Sequence, residues 1–547
     1  MRKKIAILLI GLLTLSLMLT GCGNTTSPQT TKDQPAAGSG SDITDTADSE
    51  SANDSTADDT QNTDAKASST DISELFTDRD FETDYDESAC VTVTFSDTGV
   101  QSSDSSLTVD GTTVTITDEG SYLLSGSCKD GMVIVDTDEK VQLILDGLDL
   151  CKDTSAALYV RSAGKVFVTL ADGSENSLAN TGEYAAIDDN NIDGTIFSKD
   201  DITLNGSGSL SVSSESGHGI VGKDDLKVTG GTYQITASKH GISANNSIRI
   251  ADGSFTATTV KDALHTTGYL TVLGGDYTLI SDDDALHADG NLNIAGGAIA
   301  ITKSYEGIEG EIINISGGDI TLSSDDDGIN AQSSLNISGG SIQLTAGGDG
   351  IDSNGSFDMS GGNVTINGPV GNGNGMLDYG SQAAITGGTL LAAGSMGMAQ
   401  NFGEDSTQCS ILLSTENQTA GTVVTLSDST GKELVSWTPA TAYSGVVISC
   451  PDLKVGESYT IQAGSFSETI TLESTIYGSG MGGRGGMGGR GGMGGKGGMR
   501  PDGDFNGEKG TPPDGDFNGE KGTPPEDGDN MKGGMGGMHR PPEGDSI

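Results

Sequence analysis

Residues 275–297 read GDYTLISDDDALHADGNLNIAGG, and the pattern returns along the middle of the chain. The first glycine belongs to a series, Gly231, Gly253, Gly275, Gly297, Gly318, Gly340 and Gly362, spaced 22, 22, 22, 21, 22 and 22 residues apart. Two and four residues after each comes an apolar pair, such as Tyr277 and Leu279 or Ile320 and Leu322. That alternation marks a strand with one buried face. A second apolar ladder runs Leu226, Ile248, Leu270, Leu292, Ile313, Leu335 and Phe357, and a third Ile220, Ile242, Leu264, Leu286, Ile308, Ile329 and Ile351. Three short strands in about 22 residues describe one coil of a solenoid. No helical stretch separates them, and the Asn/Leu signature of a leucine-rich repeat is missing. The expected fold is all-β, a right-handed parallel β-helix. Coils stack at about 4.8 Å, so like residues lie over like. No coil buries its apolar edge alone; stability comes from stacking. The glycines serve turns that need positive φ.

The same register carries an acidic ladder. Two residues before each apolar residue of the third ladder stand His218, His240, Asp262, Asp284, Glu306, Asp327 and Asp349. Three residues after these come Val221, Ser243, His265, His287, Glu309, Asn330 and Asp352. The triplets at 282–284 and 325–327 add Asp282, Asp283, Asp325 and Asp326 to this corner. Two carboxylates about 5 Å apart repel by roughly 3 kcal/mol at an effective dielectric of 20. Turn chemistry accounts for one Asp per coil pointing into water. It does not account for the triplets, or for Glu306 and Glu309. Calcium does, because it takes six to eight hard oxygen ligands in flexible geometry. The expected Ca²⁺ ligands are Asp262, Asp283, Asp284, Glu306, Glu309, Asp326, Asp327, Asp349 and Asp352. His265 and His287 suggest zinc, but the surrounding carboxylates favour a hard ion.

Outside the repeat, MRKK followed by IAILLIGLLTLSLMLT forms an export signal over 1–22, too short for a comfortable membrane span. It ends in LTGC, which resembles a bacterial lipobox with Cys22 as the lipidated residue. Residues 23–85 are rich in Ser, Thr and Asp and are expected to be a disordered acidic tether. The β-helix with its N-terminal cap is expected over 86–400. A small antiparallel unit over 401–477 has strands SILLS, TVVTLSD, GVVISC and SYTIQA. A disordered Gly/Met/Pro-rich tail fills 478–547. Trp437 belongs to the core of the small unit. Cys409 and Cys450 either pair, if their strands are neighbours, or stay free thiols. The chain is expected to be a monomer on the cell surface, touching the membrane through its lipid only. A formal net charge of −50 excludes nucleic acid as a partner.

The stretches SKDDITLNGSGSL, HGIVGKDDLKVTGGTYQITA and DGIDSNGSFDMSGG, with the later AGTVVTLSDSTGKELVSWTPATAYSGVVIS, resemble the carbohydrate-binding domain of clostridial cell-surface lipoproteins. The resemblance covers about residues 85–475. It implies a polysaccharide-lyase-like β-helix that binds cellulose or pectin and holds calcium. The motif Asp/Glu–Gly/Ala–Ile/Leu carries over to Asp262, Asp284, Glu306, Asp327 and Asp349, whereas His218 and His240 depart from it, so an ion site should fade in the first coils. The expected function is non-catalytic binding of an acidic glycan through calcium bridges, with cellulose less natural because few aromatics are free to stack; Tyr269 and Tyr305 are the candidates. Two alternatives stand beside it: a calcium-dependent lyase, and a purely structural or adhesive surface protein. Lys239, Lys261 and Lys303 lie near the acidic corner, where a raised pKa makes a lysine a poor base.

Overall fold

The computed structural model describes residues 69–478. The export signal, Cys22, most of the tether and the tail lie outside the described residues. The core is a parallel β-solenoid of about 13 turns. In the coil that begins at Gly275, Asp276–Ser281 forms one side, the aspartate triplet turns the corner, and Leu286–Ile294 supplies the other two sides. Each apolar ladder closes as expected. Tyr277 pairs with Phe255 and Ile299, Leu292 with Leu270 and Ile313, and Leu286 with Leu264 and Ile308. All three of these inward residues are buried. Inside, the rings of Tyr233, Phe255 and Tyr277 stack with centroids 5.2 and 4.9 Å apart.

The paired glycines hold the coils close. Gly340 has φ +85°, and a Cβ there would lie 2.8 Å from the carbonyl oxygen of Gly317 in the coil below. A left-handed backbone and a neighbouring carbonyl both demand glycine.

The end of the expected tether is folded. Within DISELFTDRDF (71–81), α1 (Ile72–Leu75) and α2 (Asp78–Phe81) form a strap across the outer face of the solenoid. Leu75 and Phe76 are buried there. The Asp80 carboxylate accepts hydrogen bonds from Lys165 Nζ (2.6 Å), Thr203 Oγ1 (2.7 Å) and Lys227 Nζ (3.4 Å), and Arg249 donates to the Leu75 carbonyl (3.1 Å). The tether boundary at 85 is therefore corrected: apolar anchors and a matched charge order the chain from the start of the described region.

The far end also differs from expectation. Val424–Asp428, Glu433–Trp437, Ser458–Ala463 and Phe466–Thr471 form a separate antiparallel sheet. The SILLS and GVVISC strands, Ser410–Gln418 and Tyr443–Ser449, do not join it. They pair with each other, and the second lies antiparallel on the last coil strand, Thr389–Gly394. They cover an edge that would otherwise be open to another chain. Ser410 pairs with Ser449, so Cys409 and Cys450 adjoin, and both thiols are free. Trp437 is buried in the core of the small sheet. Tyr269 is 9% exposed, packed against Arg249, and offers no ring to solvent; Tyr305 is 49% exposed.

Candidate metal centre

The acidic corner is fixed by the backbone. The N–H groups of Gly241, Ala263, Ala285, Gly307 and Gly328 donate to the carbonyls of Asp262, Asp284, Glu306, Asp327 and Asp349 in the next coil, at 2.9–3.2 Å. Side chains reinforce this ladder. Asp262 Oδ1 accepts from the N–H of Asp284 (3.2 Å), Asp284 Oδ1 from Glu306 (3.1 Å) and Asp327 Oδ1 from Asp349 (2.6 Å). Each of these corner aspartates thus commits one oxygen to the neighbouring coil. Asp262 is 3% and Asp284 6% exposed, so these are not turn residues pointing into water.

Among the described residues, two groups consist of carboxylates alone. Ligand oxygens of Asp284, Glu306 and Glu309 lie within 4.8 Å of one another, and so do those of Asp327, Asp349 and Asp352. Burial and mutual repulsion show in their proton affinities. Burial, with Glu309, Asp284 and Asp327 nearby, pushes Glu306 up to about 8, although Asn330 Nδ2 donates to it at 2.9 Å. Burial and a hydrogen bond with Asp284 also push Glu309 up, against the pull of His287. Burial, Asp327 and Asp378 raise Asp349 to about 7 and Asp352 to about 6. With no cation bound, burial and repulsion thus favour the protonated forms of Glu306, Glu309, Asp349 and Asp352.

The donor set fits calcium. All ligands are hard oxygens on neighbouring coils. Asn330 stands in register between Glu309 and Asp352, and its buried Oδ1 has no hydrogen-bond partner. It is a neutral oxygen placed between the two groups. An orphaned buried carbonyl of this kind costs stability unless something satisfies it.

Two further groups among the described residues are mixed, His240/Asp262/His265 and Asp262/Asp284/His287. His265 Nδ1 lies 2.8 Å, His240 Nδ1 3.3 Å and His287 Nδ1 3.5 Å from Asp262 Oδ2. Desolvation opposes ionisation of Asp262, but the adjoining His240 imidazole, the hydrogen bond with His265 and the nearby His287 outweigh it and hold the carboxyl well below the usual range. His287 also lies 3.2 Å from both Asp284 Oδ2 and Glu309 Oε2. Desolvation alone would lower its pKa; the carboxylates of Asp284, Glu309 and Asp262 raise it to about 9.

Seven of the nine sequence-predicted ligands therefore gather in these groups. Asp283 and Asp326 do not. Asp283 pairs with Lys261 at 2.5 Å, as Asp282 does with Lys303, and Asp326 sits beside the Tyr305 hydroxyl. These residues form the outer lip of the corner, and only the last carboxylate of each triplet turns towards the column. Hydrogen bonds to Asp283 and Asp282 raise the pKa of Lys261 and Lys303, as the sequence led one to expect. Sequence reasoning missed Asp378, which pairs in register with Asp352. The loop around GPVGNGNGM lengthens that step and hides it from a 22-residue period.

Residues 110–309 and 303–467 match the family described as carbohydrate-binding domain-containing protein. A protein of that description from Acetivibrio thermocellus is 39% identical over 135 residues, 24% of this chain and 47% of the relative. The matched segment thus spans about half the length of that relative. A solved structure titled as the polysaccharide lyase-like protein from C. thermocellum, gadolinium derivative, is 28% identical. That match covers 49% of this chain and 96% of the solved one, with a TM-score of 0.36.

Proposed function

The chain belongs to the family of carbohydrate-binding domain-containing proteins, and from that premise we propose that it binds an acidic polysaccharide of the pectate type through calcium, without cleaving it. The observation that carries this reading is the pair of carboxylate-only groups, Asp284/Glu306/Glu309 and Asp327/Asp349/Asp352. A chain of net charge −50 repels a polyuronate unless cations intervene. Bound calcium supplies positive charge and open coordination positions between protein and uronate carboxylates. Asp284, Glu306, Glu309, Asp327, Asp349 and Asp352 hold it, with Asn330 Oδ1 as a neutral ligand.

Cleavage by β-elimination needs a base of lowered pKa. Lys261 and Lys303, the lysines on the corner lip, are tied to Asp283 and Asp282 and shifted the other way. Lipidation of Cys22, anchoring at the cell surface and a monomeric state complete the proposal. The lipobox-like LTGC and the acidic segment after it support the anchor.

Binding of the full chain to pectate and to cellulose, with calcium and with chelator, tests the reading. Pectate retention that chelator abolishes is the expected result. Retention on cellulose alone, or pectate retention indifferent to chelator, overturns the calcium bridge. Release of unsaturated uronate overturns the non-catalytic assignment. Binding to neither glycan, with calcium still raising Tm, leaves a structural calcium scaffold.

A further inference from the structure

The geometry points to a second and chemically different metal site at the other end of the ladder, where His240, His265 and Asp262 hold one borderline divalent cation of the zinc type. This goes beyond the calcium reading and does not depend on it. Four of the five histidines in the chain, His218, His240, His265 and His287, stand on this one corner. Ligand atoms of His240, Asp262 and His265 lie within 4.8 Å of one another. Two imidazoles with a carboxylate form a donor set that borderline ions prefer over calcium, which selects oxygen.

The rings cannot satisfy one another. His240 and His265 stack with centroids 4.2 Å apart and planes 18° apart. Asp262 supplies a single negative charge, and His287 also draws on Asp284 and Glu309. His240 Nδ1 is shielded from solvent and has no hydrogen-bond partner, because it faces Asp262 Oδ2 at 3.3 Å but out of line. A metal ion is the partner that satisfies a buried nitrogen beside a carboxylate oxygen.

The supporting contacts are in place. The N–H of Asp284 donates to Asp262 Oδ1, which orients the other oxygen towards the imidazoles. His218 stacks on the far side of His240 at 5.0 Å and fixes that ring. The side chains of His240 and His265 keep 19% of their surface exposed, so an ion enters from solvent and a fourth position stays open to water.

The test is calorimetric titration of the full chain with Zn²⁺ in saturating Ca²⁺, with thiols blocked so that Cys409 and Cys450 do not compete. One zinc site that persists in calcium is expected. His240→Gln and His265→Gln should each weaken it by about tenfold or more, whereas Glu306→Gln and His539→Gln should leave it intact. Calcium binding should survive in His240→Gln, which separates this site from the carboxylate groups. Displacement of zinc by calcium, or equal zinc affinity in His240→Gln, overturns the assignment. If His240→Gln fails to fold, Co²⁺ decides in the wild-type chain. Intense visible bands of a four-coordinate nitrogen–oxygen site support it, and the weak bands of a six-coordinate oxygen site overturn it.

Discussion

Asp80 and Lys165, 85 residues apart, meet at 2.6 Å with the carboxylate wholly buried. Removing the acid strands two buried cations, Lys165 and Lys227, under the strap. Loss of one partner from such a pair costs about 3–5 kcal/mol, so Asp80→Ala should lower stability by that order in urea unfolding. A loss as small as that of a surface substitution would mean the strap is not anchored through this residue.

The same residue sets an acid limit. Burial opposes ionisation of Asp80, but hydrogen bonds from Lys165, Thr77 and Thr203 hold its folded pKa far below the usual value. An unfolded aspartate titrates near 3.9. The stabilisation is therefore present above about pH 4 and lost as pH falls towards the folded value. Asp80→Asn should be less stable than wild type at pH 7, with the gap closing in acid. A gap that does not change with pH would remove Asp80 from the acid transition.

Glu306 acts in the opposite sense. Its folded pKa of about 8 lies above the ordinary 4.5. As pH rises through that window the unfolded chain releases its proton first, so the metal-free fold loses stability. In chelator, Tm should fall between pH 5 and pH 8, and calcium should restore it most at pH 8. Glu306→Gln should raise Tm in chelator at pH 8 and shrink the calcium effect. A calcium effect of the same size at both pH values would speak against shared carboxylate sites.

Inward and outward positions should separate cleanly. Leu292 is fully buried between Leu270 and Ile313, and Leu292→Ala should cost about 2–5 kcal/mol. Lys303 is half exposed and pairs with an exposed Asp282, so Lys303→Ala should leave Tm unchanged. Equal losses in the two variants would contradict the register.

Gly340→Ala tests the turn itself. The residue has positive φ, and its Cβ would press on the Gly317 carbonyl. A strained backbone of this kind costs roughly 1–3 kcal/mol, read as a fall in urea midpoint. No change would mean that neighbouring coils yield at the turn.

The solenoid was legible because its cause is periodic. Each of Leu264, Leu286 and Ile308 stands over its counterpart one coil away, so simple spacing predicts the contact. The candidate ligands at the corner were legible for the same reason. Which carboxylates converge was not, since Asp283 and Asp284 adjoin in sequence and differ only in the direction each side chain takes at the bend. The strap was hidden because its partners, Lys165 and Lys227, lie far along the chain. Its one local signal is ELF (74–76), an apolar step in an acidic segment. The pairing of GVVIS with the last coil, and of SILLS with GVVIS, had no counterpart in the repeat.

The constant step of the coil makes the rod extensible. A tandem duplication of 22 residues within the repeat would add one whole turn and about 4.8 Å of length, with every ladder still in phase and both caps untouched. A longer duplication must throw its surplus outward, as the longer step from Asp352 to Asp378 does around GPVGNGNGM. Length can therefore drift in quanta while shape is conserved, and each added turn extends the charged corner by one more polar position.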